Sequence, residues 1–179
     1  MKKIIGIGIL SLISIALMGC TTNKTQKTVE SGITVTVDYV GKLQDGTVFD
    51  TSIESIAKES GKYSSGRNYN EGLTFTAGAG QMIAGFDQGV IGMKVGETKT
   101  VEIEPKDAYG EWDEKKLITM PKKDIPDAEQ YKVGMQVMSS YGQVFKVHEV
   151  QKNDIIFDAN HELAGKTLIF DITVKSIQK

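Results

Sequence analysis

Residues 33–37 alternate strictly, with Ile33, Val35 and Val37 on one side and Thr34, Thr36 and Asp38 on the other, and Tyr39 carries the apolar side on toward Leu43. A period of two is that of a strand with one face in a core and one in water. Asp45-Gly46 is a turn dipeptide, so residues 47–50 are predicted to return as a second strand paired with the first. Thr51-x-x-Glu54 has capping-box spacing ahead of Ile53, Ile56 and Ala57, and Gly61 stands where a helix would stop. A short helix with its apolar side inward is predicted there. Residues 62–72 are polar and aromatic without a period and read as a surface loop. Residues 73–77 read as a strand, Gly78-Ala79-Gly80 as a bend, and residues 82–89 as a short helix bearing Ile83 and Phe86, with Val90 beyond it. Residues 98–104 set Thr98, Thr100 and Glu102 against Lys99, Val101 and Ile103, and residues 167–177 place Leu168, Phe170, Ile172 and Val174 on one side. Both are half-exposed strands, and the last can close the sheet. Between Trp112 and Asp158 three short β-like runs (136–138, 144–150, 154–157) follow two prolines, Pro121 and Pro126. About 45 residues with their own strands and turns look like a small second domain, and because a sheet-completing strand follows them, they form an insertion.

Composition narrows the chemistry. Glycine is 19 of 179 residues and proline 3, a turn-rich and β-rich balance rather than a disordered one. With a net charge of −2 and no basic block, a nucleic-acid surface is not expected. One Cys and two His exclude an intrachain disulfide and a four-ligand zinc site. Gly78-Ala79-Gly80 lacks the third glycine of a dinucleotide loop, and no glycine is followed by the Lys-Ser/Thr of a phosphate loop. Neither His lies in a nucleophile motif, and His148, inside an apolar run, reads as a structural strand residue. No cofactor and no metal is expected.

The single cysteine has a particular setting. Lys2 and Lys3 precede an apolar run at 4–18, and Leu17-Met18-Gly19-Cys20 follows. Fifteen helical residues span about 22 Å, short of the ~30 Å hydrocarbon core, so residues 1–19 read as a cleaved export signal. The end of the run resembles the lipobox of lipoproteins, with Met18 where a small or β-branched residue is usual, and implies lipidation of Cys20. An uncleaved anchor and an incidental cysteine are the competing readings. Residues 20–31 are polar and aperiodic and read as a flexible tether. Asn23-Lys24-Thr25 fits a glycosylation sequon, with a chance match as the blander reading. The expected location is the cell membrane, lipid-anchored on its extracytoplasmic face.

What remains is a set of aromatics beside glycines. Val37-x-Tyr39-x-Gly41 is followed by Asp45-Gly46-x-x-Phe49-Asp50-x-Ser52. Then come Gly80-Gln81-Met82-Ile83-x-Gly85-Phe86-Asp87-x-Gly89-Val90-x-Gly92-Met93-x-x-Gly96-Glu97 and Ala108-Tyr109-Gly110. This ordered series is similar to the FKBP family of peptidyl-prolyl cis-trans isomerases, from about residue 33 to residue 177. Asn160-His161-Glu162-Leu163-Ala164-Gly165 resembles the re-entry segment of SlyD-type FKBPs, in which an insert-in-flap chaperone domain replaces the flap. The segment 53–72 looks like the lengthened bulge of the archaeal long type. The chain lacks a His-rich tail, so nickel handling is not carried over.

The resemblance implies an α+β fold: an FKBP-like antiparallel half-barrel sheet wrapped on a short helix, at 32–114 and 159–179, with a small β-rich insert-in-flap domain at 115–158. It implies isomerisation of X-Pro bonds by desolvation and shape complementarity, without proton transfer. Phe86 is then the floor under the proline ring, where the best-known members have Trp. Tyr39, Phe49, Met82, Ile83 and Phe170 are walls, with Leu163 added from the re-entry segment. Tyr109 offers its hydroxyl to a substrate carbonyl, and Asp50 a carboxylate near the twisting imide or its positioning network. Against these roles, Phe49 and Phe170 could be core alone and Asp50 a turn-stabilising carboxylate. The expected partners are proline-containing unfolded proteins and peptides, met by a monomer. In the insert, Met120, Ile125, Met135, Val137, Met138, Tyr141, Val144 and Phe145 supply adaptable apolar surface, half or more of it expected in the insert's own core. The rival class is a non-catalytic holdase or peptide-binding lipoprotein on the same fold.

Overall fold

The computed structural model describes residues 27–178. The chain runs through β1 (Thr34–Leu43), β2 (Val48–Thr51), α1 (Glu54–Glu59), β3 (Leu73–Thr76), α2 (Ala84–Gly89) and β4 (Thr98–Ile103). It then forms β5 (Leu117–Pro121), β6 (Gln136–Met138), β7 (Val144–Val150) and β8 (Asp154–Asp158) before returning as β9 (Leu168–Ile177). β9 lies between β1 and β4, all antiparallel, while the other edge of β1 is shared by β3 along its first half and β2 along its second. The period of two chose the buried face: Val35, Val37 and Tyr39 of β1 and Leu168, Phe170, Ile172 and Val174 of β9 all point into one core. Each such aliphatic side chain contributes about 1.5–3 kcal/mol when removed from water.

The helix α2 lies on this sheet because glycines let it come close. A Cβ on Gly85 would sit 2.3 Å from Ile103 Cγ2, and one on Gly89 3.0 Å from Val101 Cγ2. Phe86 and Val90 point into the core from the same turn. Asp87, buried, accepts from the N–H groups of Gly78 (2.7 Å) and Gly80 (2.8 Å), so the bend predicted at 78–80 is tied to the helix. The helix is shorter than the predicted 82–89, with Met82 and Ile83 in the approach to it.

Two expectations are corrected here. Thr51 does not cap α1: it ends β2, where its hydroxyl donates to Tyr39 O (2.7 Å) and accepts from Ile53 N–H (3.1 Å). The C-terminus is as predicted, with Gly61 at φ +68° and the N–H of Lys62 reaching Ala57 O, the pairing of a Schellman cap. The tether read to Ser31 is also too long. Val29 is fully buried, its N–H donates to Met93 O, and its carbonyl accepts from Gly92 N–H, so the fold already begins in this segment.

Residues 117–158 form a separate four-stranded antiparallel sheet, ordered β5-β8-β7-β6. Its core is Val147, Ile155 and Phe157, with Ile125, Val137, Phe145 and Tyr131 packed against it. Met120, Met135, Met138, Tyr141 and Val144 are exposed, Tyr141 at 97%. Three of the eight apolar residues singled out therefore point inward and five outward, fewer inward than expected. His148 is the extra residue of a β-bulge, between the Val147–Phe157 and Glu149–Ile156 pairs, and is exposed.

Candidate functional site

β1 sets the inner wall. Tyr39 and Gly41 face the same side, and Gly41 lies opposite both Asp50 in β2 and Phe170 in β9. A Cβ on Gly41 would stand 2.7 Å from Phe49 Cζ and 2.9 Å from Phe170 Cε1. The missing side chain is what lets the two phenyl rings meet edge to face, 5.5 Å apart. Phe86 meets Phe170 at 5.0 Å, also edge to face, and Tyr39 at 5.8 Å. Edge-to-face contacts of this kind favour one arrangement of rings and so fix a shape.

These rings line one cavity of about 530 Å3. All nine residues expected to form the pocket border it: Tyr39, Phe49, Asp50 and Tyr109 with Met82 and Ile83, then Phe86, Leu163 and Phe170. Leu73, Gln81, His161 and Glu162 border it too and were not anticipated. The Asp50-x-Ser52 spacing has a mechanical reason. Tyr39 N–H donates to Ser52 Oγ (2.9 Å) and Ser52 N–H donates to Tyr39 O (3.1 Å), which pins the segment carrying Asp50 against β1.

The polar corner is a three-residue network. Tyr39 donates its hydroxyl hydrogen to Asp50 Oδ2 (2.5 Å), and Arg67 donates from Nη1 to Asp50 Oδ1 (2.5 Å) and to Thr51 O (2.7 Å). The loop that carries Arg67 is braced by Tyr63 and Tyr69, stacked with centroids 5.5 Å apart. Burial alone would push the Asp50 carboxyl up, but hydrogen bonds from Arg67 and Tyr39 and the guanidinium charge outweigh it and hold the group below the ordinary carboxylate range. Burial, then the bonded Asp50 carboxylate, pushes the Tyr39 phenol far above its usual value. Asp50 is therefore ionised and Tyr39 protonated at neutral pH. Sequence reasoning missed Arg67 because its loop has no period; the available signal was that it is the sole arginine in a chain otherwise supplied with lysine. Arg67 Nη1 and Nη2 reach the two oxygens of the Asp50 carboxylate, a planar two-nitrogen grip that the single nitrogen of lysine lacks.

Tyr109 stands across the cavity on the turn after residues 105–107, and Gly110 beyond it has φ +82°. The phenol is 40% exposed, and among the described residues nothing hydrogen-bonds to its hydroxyl. Burial, then the charges of Asp50 and Glu162, raises its pKa, so the hydroxyl keeps its proton and remains a donor. Its ring stacks on His161, centroids 3.9 Å apart and planes 3° from parallel.

A second cleft, of about 850 Å3, runs between the insert and the main sheet. Gln136, Val144 and Phe145 border it on one side and Leu43, Val48 and Lys166 on the other. Phe49, His161, Glu162 and Leu163 border both this cleft and the aromatic cavity, so the two adjoin along these side chains. Among the described residues no group of three or more His, Cys, Asp or Glu could hold a metal ion.

Comparison with known proteins agrees with this geometry. The family described as FKBP-type peptidyl-prolyl cis-trans isomerase matches residues 25–175. A short-type peptidyl-prolyl cis-trans isomerase of Methanocaldococcus jannaschii is 43% identical over 151 residues, 84% of this chain and 94% of its own length. That relative is of the short type, against the long-type likeness expected for residues 53–72. The SlyD isomerase of Escherichia coli K12 is 26% identical over 154 residues, 84% of this chain and 71% of its own. That of Treponema pallidum is 36% identical over 110 residues, 60% and 62% respectively.

Proposed function

The chain belongs to the FKBP-type peptidyl-prolyl cis-trans isomerases, and we propose that it twists X-Pro bonds in the aromatic cavity while its insert captures the unfolded chain that carries them. The observation that carries this reading is that cleft and cavity adjoin, sharing Phe49, His161, Glu162 and Leu163 as lining. A chain bound along the cleft beside β6 and β7 would lie next to Phe49, which borders the aromatic cavity as well.

The chemistry asked of the site is modest. Rotation about a peptide bond has a barrier of ~18–20 kcal/mol, and X-Pro isomerisation unaided takes tens to hundreds of seconds. The planar amide owes part of that barrier to charge separation between nitrogen and oxygen, which water favours. An apolar cavity removes that solvation and fits the pyrrolidine ring, so the less polar, twisted imide is the better guest. Tyr109 donates to a carbonyl of the bound segment, and the ionised Asp50, braced by Arg67 and Tyr39, places fixed negative charge beside the rotating bond. No bond is made or broken and no proton moves.

Capture is the second half of the proposal. Met135, Met138, Tyr141 and Val144, exposed in and around β6 and β7, supply adaptable apolar surface, with Val144 at the cleft itself. Linkage to the cavity then raises the local concentration of the proline. Acting as a monomer, the protein would be held at the membrane by lipid on Cys20, which lies outside the described residues. Seven residues to Lys27 give a reach of at most about 25 Å. The chain enters the fold at the end of β1 where Val35 pairs with Ile177, and the insert departs from the opposite end, beyond Ile103 and Leu168. The insert would therefore face away from the anchoring surface.

The test of the pocket is isomerisation of a short X-Pro peptide. Tyr109→Phe, which deletes one hydrogen bond of roughly 1 kcal/mol, is expected to lower kcat/KM about fivefold. Tyr109→Phe combined with Asp50→Ala is expected to abolish most of the activity with the fold retained. Wild-type activity in the double variant would overturn the assignment.

A further inference from the structure

A half-exposed tyrosine on a turn has rotameric freedom that a substrate contact cannot use, because a hydroxyl must face the carbonyl it bonds to. Nothing in the 105–110 turn restrains the Tyr109 phenol by a hydrogen bond. What lies against it comes from the segment returning from the insert. Among the described residues no other ring pair is as close or as parallel as Tyr109 and His161, at 3.9 Å and 3°. Of the other aromatic pairs of the cavity, three meet edge to face and Tyr39–Phe170 is tilted at 53°.

The imidazole is itself mounted firmly. Its Nδ1 accepts from the N–H of Leu163 at 3.1 Å, and its carbonyl accepts from the N–H of Ala164 at 2.9 Å. The preceding residue, Asn160, is clamped to the segment leading out to the insert: Asp113 N–H donates to Asn160 Oδ1 (3.0 Å) and Asn160 Nδ2 donates to Asp113 O (2.9 Å). A further bond joins Gly165 N–H to Gly110 O at 2.9 Å, directly beside Tyr109.

We propose that His161 is a positioning residue for Tyr109, its ring serving as the plate that holds the phenol with its hydroxyl toward the proline cavity. This rests on the reading of Tyr109 as a substrate contact. His161 acts through the tyrosine, and its site at the seam between cleft and cavity puts that control in the segment connecting the insert to the main sheet.

Two substitutions in the full chain separate the ring from the hydrogen bond. His161→Asn keeps an acceptor for the N–H two residues on, as asparagine does in turns, and removes the plate. His161→Phe keeps a flat ring and removes the acceptor. With a short X-Pro peptide, His161→Asn is expected to lower kcat about fivefold with KM within about twofold, and His161→Phe to stay within about twofold of wild type in both. Tyr109 ring-proton resonances should be displaced by the neighbouring ring in wild type and His161→Phe and lose that displacement in His161→Asn. In the His161→Asn background, Tyr109→Phe should cost less than about twofold further. Wild-type kcat in His161→Asn, equal damage in both variants, or a loss confined to KM would overturn the proposal. If Tyr109→Phe alone has no effect, the reading of Tyr109 fails. If it has its full effect while His161→Asn has none, only the role of His161 fails.

Discussion

Asp50 is worth more to the site with its partners than alone. Its folded pKa is depressed, so the stability it contributes is complete above the ordinary carboxylate range and is lost as pH falls through the depressed folded value. Activity limited by Asp50 ionisation should accordingly be flat from neutral pH down into the ordinary carboxylate range and fall only below it. Removing the guanidinium takes away both its hydrogen bond and its charge and leaves chiefly the Tyr39 hydrogen bond to oppose burial. In Arg67→Ala the acid limb of a pH–rate profile should therefore move to higher pH, and Arg67→Lys should recover only part of the shift because ammonium lacks the fork. An unmoved acid limb in Arg67→Ala would show that the carboxylate does not depend on this loop. Tyr39, Phe49, Phe86 and Tyr109 were legible in the sequence because each stands close to a glycine in a fixed motif, as Tyr39 does to Gly41, and Phe170 through the alternation of β9. Arg67, Gln81 and His161 were not, because their positions depend on how distant segments close over one another, which no local period records.

Elements were legible where one physical rule decided them. The alternation in β1 and β9 fixed their buried faces, and Gly61 marked the end of α1 through its positive φ. Thr51 shows the limit of such rules. It has the spacing of a cap, but pairing of β2 with β1 claims its backbone and Tyr39 O claims its hydroxyl proton. Val29 shows another, since a single apolar residue in a polar stretch carries no period and yet is fully buried. The contact of α2 with β4 makes a direct prediction. Gly85→Ala must displace Ile103 or lift the helix, and overpacking of this kind typically costs about 1–3 kcal/mol. Thermal or denaturant unfolding checks it, and because Phe86 is the next residue, peptide turnover should fall in the same variant. Unchanged stability would mean that α2 does not rest on Ile103 as described.

At the scale of the whole molecule, the shortage of reactive side chains in the composition suits the proposed mechanism of shape, desolvation and a few fixed dipoles, which asks for no nucleophile. The proposed lipid attachment at Cys20 predicts that Cys20→Ala moves the protein from the membrane to the soluble fraction with peptide turnover unchanged. Partitioning that does not change would remove the anchor from the account. The insert is joined to the main sheet by two adjacent connecting segments, held where Ala159 N–H donates to Lys116 O at 3.0 Å and Trp112 Nε1 donates to Asp158 at 3.0 Å. Its ends are thus close enough for a short glycine linker to replace residues 117–158. The most direct measurement of the proposed division of labour compares this deletion with the full chain on two substrates, a short X-Pro peptide and an unfolded protein whose refolding is limited by proline isomerisation. Turnover of the peptide should be retained within about threefold while acceleration of refolding falls by about tenfold or more, the loss expected when capture no longer raises the local concentration of proline. Equal loss on both substrates, or refolding accelerated as well without the insert as with it, would contradict the account.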